Sequence, residues 1–213
     1  MTKPAGAFAH LDEASLRELA PHGSTRSIPK NTIVVYEGEE SSTLYVILSG
    51  RVKIFITGDD GREVVLDTMS AGQYFGELVL DGGPRTASVM TLEPCRFYMI
   101  PQRDVEGLLL ANAGFSRDML ERVIAKVRSL TAKVRDLALK DVYGRFVRFA
   151  DEHAVEANGE RVIPERLTQS DIAARIGGSR EMVSRILRDL TQGGYIVVEA
   201  KRIRILKKLP AHW

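Results

Sequence analysis

The sequence predicts an α+β fold whose parts follow one another along the chain: a compact β-roll, a long coiled-coil helix and a winged helix-turn-helix. Three observations carry this prediction. Short β-rich segments separated by turn residues fill Ile28 to Pro101, the next stretch has the apolar spacing of a coiled coil, and a glycine pair then separates two short amphipathic helices. The predicted domain bounds are 1–111, 112–140 and 141–213.

Composition limits the class of protein. The 213 residues are 44% hydrophobic and 27% charged, which suffices for one or two packed domains. With Cys95 as its single cysteine, one chain cannot form an internal disulfide or a cysteine-based zinc or iron–sulfur site, and we expect no metal. The sequence has no signal-peptide core and no run near the roughly 20 apolar residues that span a bilayer. We therefore expect a cytoplasmic protein.

The charge is distributed unevenly. Up to Lys140 there are 17 Lys and Arg against 18 Asp and Glu, whereas the chain from Asp141 onward has 13 against 10. Within Arg161 to Lys208 the ratio is 11 against 5. A basic excess at one end is typical of a protein that binds a polyanion there, although a solvated lysine-rich surface gives the same count.

The strand predictions rest on runs of β-branched and aromatic residues between Gly, Asp, Ser and Pro clusters. These runs are TIVVY, TLYVILSG, RVKIFIT, REVVLDTM, ASVMTL and CRFYMI. Thr57 to Gly61, TGDDG, is predicted to be a hairpin loop between two of them. Short strands at regular intervals favour a compact β-barrel or roll.

The predicted long helix carries apolar residues at alternating spacings of three and four. They are Leu120, Val123, Val127, Leu130, Val134 and Leu137. This is the a/d pattern of a two-stranded coiled coil, so we expect a homodimer. The alternative is a helix packed against its own β-domain. A further helix is predicted over Asp141 to His153, and then a connector, EANGERVIPERL, that contains an Asn-Gly turn and a proline.

The segment LTQSDIAARIGGSREMVSRILRDL predicts a helix-turn-helix. Thr168 and Ser179 are good N-caps for its two helices, and Gly177-Gly178 forms the turn between them. Two strands with a tight turn near Glu199 to Lys201 follow and would form a wing.

The second of these helices is amphipathic, with Arg180, Glu181, Ser184, Arg185 and Arg188 on its polar face. Arginine donates to guanine O6 and N7, and a carboxylate accepts from the cytosine amino group. The first residues of a helix in the major groove reach the bases, so we expect Arg180, Glu181 and Arg185 to read sequence, and Ser184 beside them to be a further DNA contact. The alternative is a surface helix that carries an Arg/Glu pair.

Phosphate contacts are expected from polar residues at the helix starts and in the wing. Thr168, Gln169 and Ser179 would fix the register of the protein on DNA without reading bases. Lys201, Arg202 and Arg204 of the wing could contact the DNA backbone.

The stretch GQYFGELVLDGGPRTASV, Gly72 to Val89, predicts an anion cradle. Arg85 would neutralise a phosphate, Thr86 would donate to it, and Glu77 would accept from a ribose hydroxyl. The alternative is a purely structural set of glycine turns in a β-barrel.

On these motifs the whole chain resembles the CRP/FNR family of bacterial transcription regulators. FGEL…PRTASV resembles the phosphate-binding cassette of cyclic-nucleotide-binding domains, and IGGSREMVSRIL resembles the recognition helix of the cAMP receptor protein group. The resemblance implies a cyclic-nucleotide-binding β-roll, a dimerisation helix and a winged helix-turn-helix that binds double-stranded DNA.

The resemblance also implies roles for individual residues. Gly76, Glu77 and Leu78 fall in the ribose-binding part of the cassette, and Arg85 and Thr86 in its phosphate-binding part. Arg180, Glu181 and Arg185 match the base-reading residues, which implies a TGTGA-type inverted repeat as the target. Aligned backwards from LALKDVYGRF, Leu130 and Thr131 fall where cAMP-responsive members place a Thr-Ser pair facing the adenine, so one hydroxyl is lost.

The effector and partners follow from the same resemblance. We expect cAMP as the effector, with cGMP or another cyclic nucleotide such as cyclic di-GMP as alternatives, and RNA polymerase as a further partner. Iron–sulfur sensors of the family need several N-terminal cysteines, and haem sensors need a positioned His or Cys, which this chain lacks.

An enzyme is the competing class, but no Ser/His/Asp set, metal cluster or P-loop supports it. The third possibility is a repressor whose DNA binding does not depend on a nucleotide.

Overall fold

The computed structural model describes residues 13–40, 42–157 and 160–210. The chain forms two compact units. The first comprises the described residues up to Ile56 together with Leu66–Ser129, and the second comprises Thr57–Val65 and the described chain from Leu130 onward. In the described ranges, no helix combines the length and the apolar character that crossing a membrane requires.

The β-rich region contains two antiparallel four-stranded sheets, which confirms the predicted roll. Its strands are β1 Ser24–Ile28, β2 Ile33–Val35, β3 Thr43–Ser49, β4 Arg51–Thr57, β5 Glu63–Ser70, β6 Tyr74–Phe75, β7 Ser88–Thr91 and β8 Cys95–Pro101. One sheet has the order β1-β8-β3-β6 and the other the order β2-β7-β4-β5. All six predicted strands are present, and β1 and β6 were not predicted.

Aromatic packing ties the strands of the roll together. The rings of Tyr45 and Phe75 stack with centroids 4.9 Å apart, and Phe97 meets both edge-on. Phe75 and Phe97 are almost completely buried. Such pairs stabilise a core beyond the area they bury, so this cluster fixes β6 and the segment that follows it.

Among the described residues, three α-helices belong wholly or partly to the first unit: α1 Glu13–Leu19, α2 Gln102–Ala111 and α3 Ala113–Leu139. α2 was not predicted, and the Asn112 side chain accepts from the Phe115 N–H at 3.0 Å where α3 begins. The six apolar seam positions of α3 are all exposed in the single chain, from 37% at Leu130 to 65% at Val134. Apolar residues at this spacing and exposure are typical of the seam of a coiled-coil helix.

The second unit contains three more helices and a four-stranded antiparallel sheet of order β11-β12-β10-β9. Its elements are α4 Val142–His153, β9 Val155–Ala157, β10 Glu160–Ile163, α5 Gln169–Ile176, α6 Arg180–Gln192, β11 Ile196–Glu199 and β12 Arg202–Ile205. The connector predicted before the helix-turn-helix is in fact the strand pair β9 and β10, while its Asn158-Gly159 turn lies outside the described residues.

Capping defines the two helices of the helix-turn-helix as the sequence predicts. The Thr168 hydroxyl accepts from the Asp171 N–H, and the Asp171 carboxylate accepts in return from the Thr168 N–H at 2.8 Å. The Ser179 hydroxyl accepts from the Met182 N–H at 3.2 Å. Each such cap stabilises its helix by about 1 kcal/mol. Gly177 has φ 64°, and a Cβ there would lie 2.8 Å from Leu137, so the turn requires glycine.

Arg145 of α4 joins the ends of two helices in this unit. Its guanidinium donates to the carbonyls of Ile176 at 2.6 Å and Gly177 at 3.1 Å, where α5 ends. It also donates at 2.7 Å to the carbonyl of Lys140, which follows α3. Carbonyls at helix ends have no partner within the helix, so one side chain satisfies three of them.

The wing turns through two residues with positive φ, Ala200 at 49° and Lys201 at 65°. The Lys201 carbonyl accepts from the Leu167 N–H at 2.9 Å, which ties the wing to the start of the helix-turn-helix. A hairpin of this type favours Asn and Gly, so alanine is strained here.

Candidate functional site

The cradle residues predicted from the sequence meet at one cavity in the first unit. Gly76, Glu77, Leu78, Arg85 and Thr86 all line it. Apolar side chains from β2, β4, β6 and β7 complete the wall, and Lys126 of α3 closes one side. The cavity is narrow, about 40 Å³, so a nucleotide-sized molecule requires neighbouring side chains to move.

Arg85 is held in place by both its backbone and its side chain. Its N–H donates to the Glu39 carbonyl and its own carbonyl accepts from the Gly38 N–H, each at 2.8 Å. Its guanidinium donates to the Thr43 carbonyl at 2.6 Å and lies over the Tyr45 ring. The residue is 7% exposed, and this burial lowers the pKa of Arg85 from its ordinary value. A guanidinium nevertheless stays charged in proteins, so it places a fixed positive charge at the cavity wall.

Because Gly76 has no side chain, the backbone at this residue can lie close to Arg85. It has φ 90°, and a Cβ there would lie 2.6 Å from Arg85 Nη1 and 2.9 Å from the Thr43 carbonyl oxygen. A short 3₁₀ helix, Glu77–Leu80, begins immediately after it. Only glycine meets both the steric and the conformational requirement at this position.

Glu77 forms an ion pair with a residue of α3 that the sequence analysis did not single out. Lys126 Nζ donates to Glu77 Oε1 at 2.6 Å, and the Glu77 side chain is only 11% exposed. The cavity wall therefore carries two cations, Arg85 and Lys126, and one carboxylate. An arrangement with this surplus of positive charge favours an anion.

Leu130 and Thr131 lie on α3, in the second unit, and their contact with the nucleotide base stays a prediction. Leu130 is one of the exposed apolar residues of the helix seam.

A second concave surface lies on the helix-turn-helix. It is lined by Gln169, Arg180, Glu181, Met182, Ser184, Arg185 and Arg188. Five of these residues were predicted DNA contacts, Arg188 was placed on the same polar face, and Met182 was not anticipated. The opposite face of α6 buries Val183, Ile186, Leu187 and Leu190 in the core of the unit.

The start of α6 sets the charge state of this surface. Hydrogen bonds from the backbone N–H of Glu181 and from Ser179 lower the pKa of the Glu181 carboxyl, and the neighbouring Arg180 acts in the same direction. Glu181 is therefore an ionised acceptor at neutral pH beside exposed arginines. Thr168 and Ser179 stand at the two helix starts, and Lys201 is exposed at the tip of the wing.

Family models and curated relatives then identify the chain. The cyclic nucleotide-binding domain model matches residues 25–112, and the Crp-like helix-turn-helix domain model matches residues 144–208. A CRP-like cAMP-activated global transcriptional regulator of Mycobacterium tuberculosis is 31% identical over 206 residues, covering 94% of this chain and 92% of that protein. The chain belongs to the CRP/FNR family of transcription regulators. This family member is also 30% identical over 203 residues to the cAMP-activated global transcriptional regulator Vfr of Pseudomonas aeruginosa, with 90% and 91% of the two chains covered.

Solved structures agree with this assignment. The c-di-GMP responsive global regulator CLP of Xanthomonas campestris matches with a TM-score of 0.79 and 25% identity, covering 92% of this chain and all of that one. A CooA mutant from Carboxydothermus hydrogenoformans matches with the same TM-score at 19% identity over 97% and 93% of the two chains, which supports the fold alone. The predicted fold class and family are confirmed.

Proposed function

We propose that this CRP/FNR regulator is a cytoplasmic homodimer that binds a cyclic nucleotide in its β-roll and a TGTGA-type inverted repeat through its α6 helices. The domain bounds we propose remain 1–111, 112–140 and 141–213. The observation that carries the proposal is the meeting of Gly76, Glu77, Arg85 and Thr86 at one cavity wall, because four residues of one short segment supply the donors and the acceptor that a sugar phosphate needs.

The cavity charge favours a monoanionic effector. Arg85 and Thr86 would hold the phosphodiester, and the Gly76 backbone and the Glu77 carboxylate would hold the ribose. The wall carries two cations and one carboxylate. Its charge therefore balances a ligand with one phosphodiester better than a ligand with two. We therefore propose cAMP as the first candidate, and cGMP as the second because Thr86 offers a hydroxyl to the guanine amino group.

The Lys126 ion pair supplies a route by which binding changes the protein. A ribose hydroxyl that donates to the Glu77 carboxylate would share it with Lys126, whose ammonium donates to Oε1 at 2.6 Å, and would so weaken this link between the cassette and α3. A ligand shifts a conformational equilibrium only by its differential affinity for the two states. We propose that the loss of this ion pair is one source of that difference.

The DNA interface pairs base-reading and positioning residues. Arg180, Glu181 and Arg185 would contact base edges in the major groove, with Ser184 beside them. Thr168, Gln169, Ser179 and Lys201 would contact phosphates. Two recognition helices of a symmetric dimer would enter successive major grooves roughly 34 Å apart. Contact with RNA polymerase is the remaining part of the proposal.

The test combines ligand titration with DNA binding. Calorimetric titration with cAMP, cGMP and cyclic di-GMP is followed by fluorescence-anisotropy binding to a duplex carrying the TGTGA inverted repeat, with a scrambled duplex for comparison. We expect one cyclic mononucleotide to bind and to raise affinity for the repeat more than for the scrambled duplex. No mononucleotide binding, or equal affinity for both duplexes, would reject the proposal.

Matched variants assign the effect to the cavity. Arg85→Ala is expected to abolish the nucleotide response, whereas Arg117→Ala, whose side chain is 82% exposed on α3, is expected to leave it unchanged. Retained nucleotide affinity in Arg85→Ala would remove Arg85 from the site.

The alternative effector is cyclic di-GMP. Its support is the likeness to a c-di-GMP responsive regulator. Binding of cyclic di-GMP alone in the same titration would establish this alternative. Strong repeat-specific DNA binding that no nucleotide changes would instead indicate a regulator that acts without one.

A further inference from the structure

An apolar side chain lies among the charged residues of the surface that we assign to DNA. The other apolar residues of α6, Val183, Ile186, Leu187 and Leu190, are buried, but Met182 is 37% exposed. Its side chain lines the same concave surface as Arg180, Glu181 and Arg185. Packing of the domain core therefore does not account for a methionine at this position.

The place of Met182 in the helix directs its side chain to the same partner as its neighbours. It is the third residue of α6, and its N–H is already satisfied by the Ser179 hydroxyl at 3.2 Å. Residues in the first turn of a recognition helix are those that reach base edges. An unbranched thioether side chain can adapt to the surface that it meets there.

The major groove offers an apolar partner for such a side chain, the C5-methyl group of thymine. We propose that Met182 reads a thymine methyl in each half-site and so determines one position of the recognised sequence. This inference rests on the proposed DNA-binding function and adds a specificity residue to it. Burial of one methyl group contributes about fourfold in affinity (about 0.8 kcal/mol), so a symmetric pair of contacts contributes about 15-fold.

Deoxyuridine lacks only this methyl group and therefore provides a direct test. Each thymine of the TGTGA inverted repeat, on either strand, is replaced in turn by deoxyuridine in both half-sites. Affinity of the full-length protein is measured with cAMP and without it. We expect one replacement to weaken binding about 15-fold. Met182→Ala is expected to bind the thymine and deoxyuridine duplexes equally at that position, while Met182→Leu keeps most of the difference.

Controls separate the possible failures. Arg188→Ala removes a charge from the same surface and is expected to keep the sensitivity to deoxyuridine, and circular dichroism verifies that each variant is folded. Equal wild-type affinity for every deoxyuridine duplex, or unchanged sensitivity in Met182→Ala, would overturn the role of Met182 while leaving the DNA-binding proposal intact. If the wild type does not prefer the repeat to a scrambled duplex, the DNA-binding proposal fails as well.

Discussion

Replacing Gly76 by alanine tests the architecture of the ligand cavity. The added Cβ would lie 2.6 Å from Arg85 Nη1, so the guanidinium must move away from the Thr43 carbonyl to which it donates at 2.6 Å. A hydrogen bond from a charged group contributes about 1.5–3 kcal/mol. Alanine at positive φ adds about 1–2 kcal/mol of strain.

Gly82→Ala provides the matched control for this experiment. Gly82 also has positive φ, 67°, but its Cβ would meet nothing within 4 Å. The change in unfolded-chain entropy is the same in both variants, so the difference between them reports the contacts of the added Cβ with Arg85 and the Thr43 carbonyl, together with the greater strain of alanine at φ 90°.

The assay measures thermal unfolding without nucleotide and then nucleotide affinity by calorimetry. For a chain of this length we expect Gly76→Ala to melt about 3–12 °C below Gly82→Ala. We also expect Gly76→Ala to lose nucleotide affinity while Gly82→Ala retains it. Equal melting temperatures would show that Arg85 does not need the space beside Gly76, and wild-type affinity in Gly76→Ala would show that its displacement does not matter for binding.

Four further predictions concern other parts of the chain. Thr168→Ala removes a capping box and should destabilise the second unit by about 1 kcal/mol in urea unfolding, with Thr168→Ser retaining most of the stability. Ala200→Gly relieves positive-φ strain and should raise the unfolding free energy by about 0.5–1 kcal/mol at unchanged DNA affinity. Val134→Asp places a charge in the helix seam and should yield monomers in analytical ultracentrifugation. Ser129→Asp, on the outer face of the helix, should remain dimeric. A dimeric Val134→Asp would argue against the seam as the dimer interface. Because burial raises the pKa of the Cys95 thiol, iodoacetamide at about pH 8 should modify Cys95 only after unfolding.

Local patterns predicted most of the fold. The strands β3, β4 and β8 are rich in β-branched and aromatic residues, and Thr168 and Ser179 cap helices as their side chains dictate. β1, Ser24–Ile28, was missed because its sequence STRSI is mostly polar and its strand character comes from pairing with β8. Tertiary pairing overrides weak intrinsic preference at such a strand.

In the candidate sites, too, some residues could be predicted from local sequence and others depend on tertiary packing. Glu77, Arg85 and Thr86 belong to one short segment, so their meeting at the cavity could be predicted from the sequence. Lys126 could not, because it comes from a helix far along the chain and its contact with Glu77 depends on how α3 packs in the first unit. Met182 follows the apolar pattern of its helix closely enough to pass as a core residue, and only its exposure separates it from Val183.

The three hydrogen bonds of Arg145 oppose bending between the end of α3 and the end of α5. Rotating one helix end against the other has to break at least the bond to the Lys140 carbonyl, and such a charge-assisted bond contributes about 1.5–3 kcal/mol, comparable to a ligand's coupling energy of about 1–3 kcal/mol. We therefore expect a change in direction at the end of α3 to be passed on to the helix-turn-helix. The recognition helix would then be re-aimed as a whole, while its own shape, and thus the sequence it reads, stays the same.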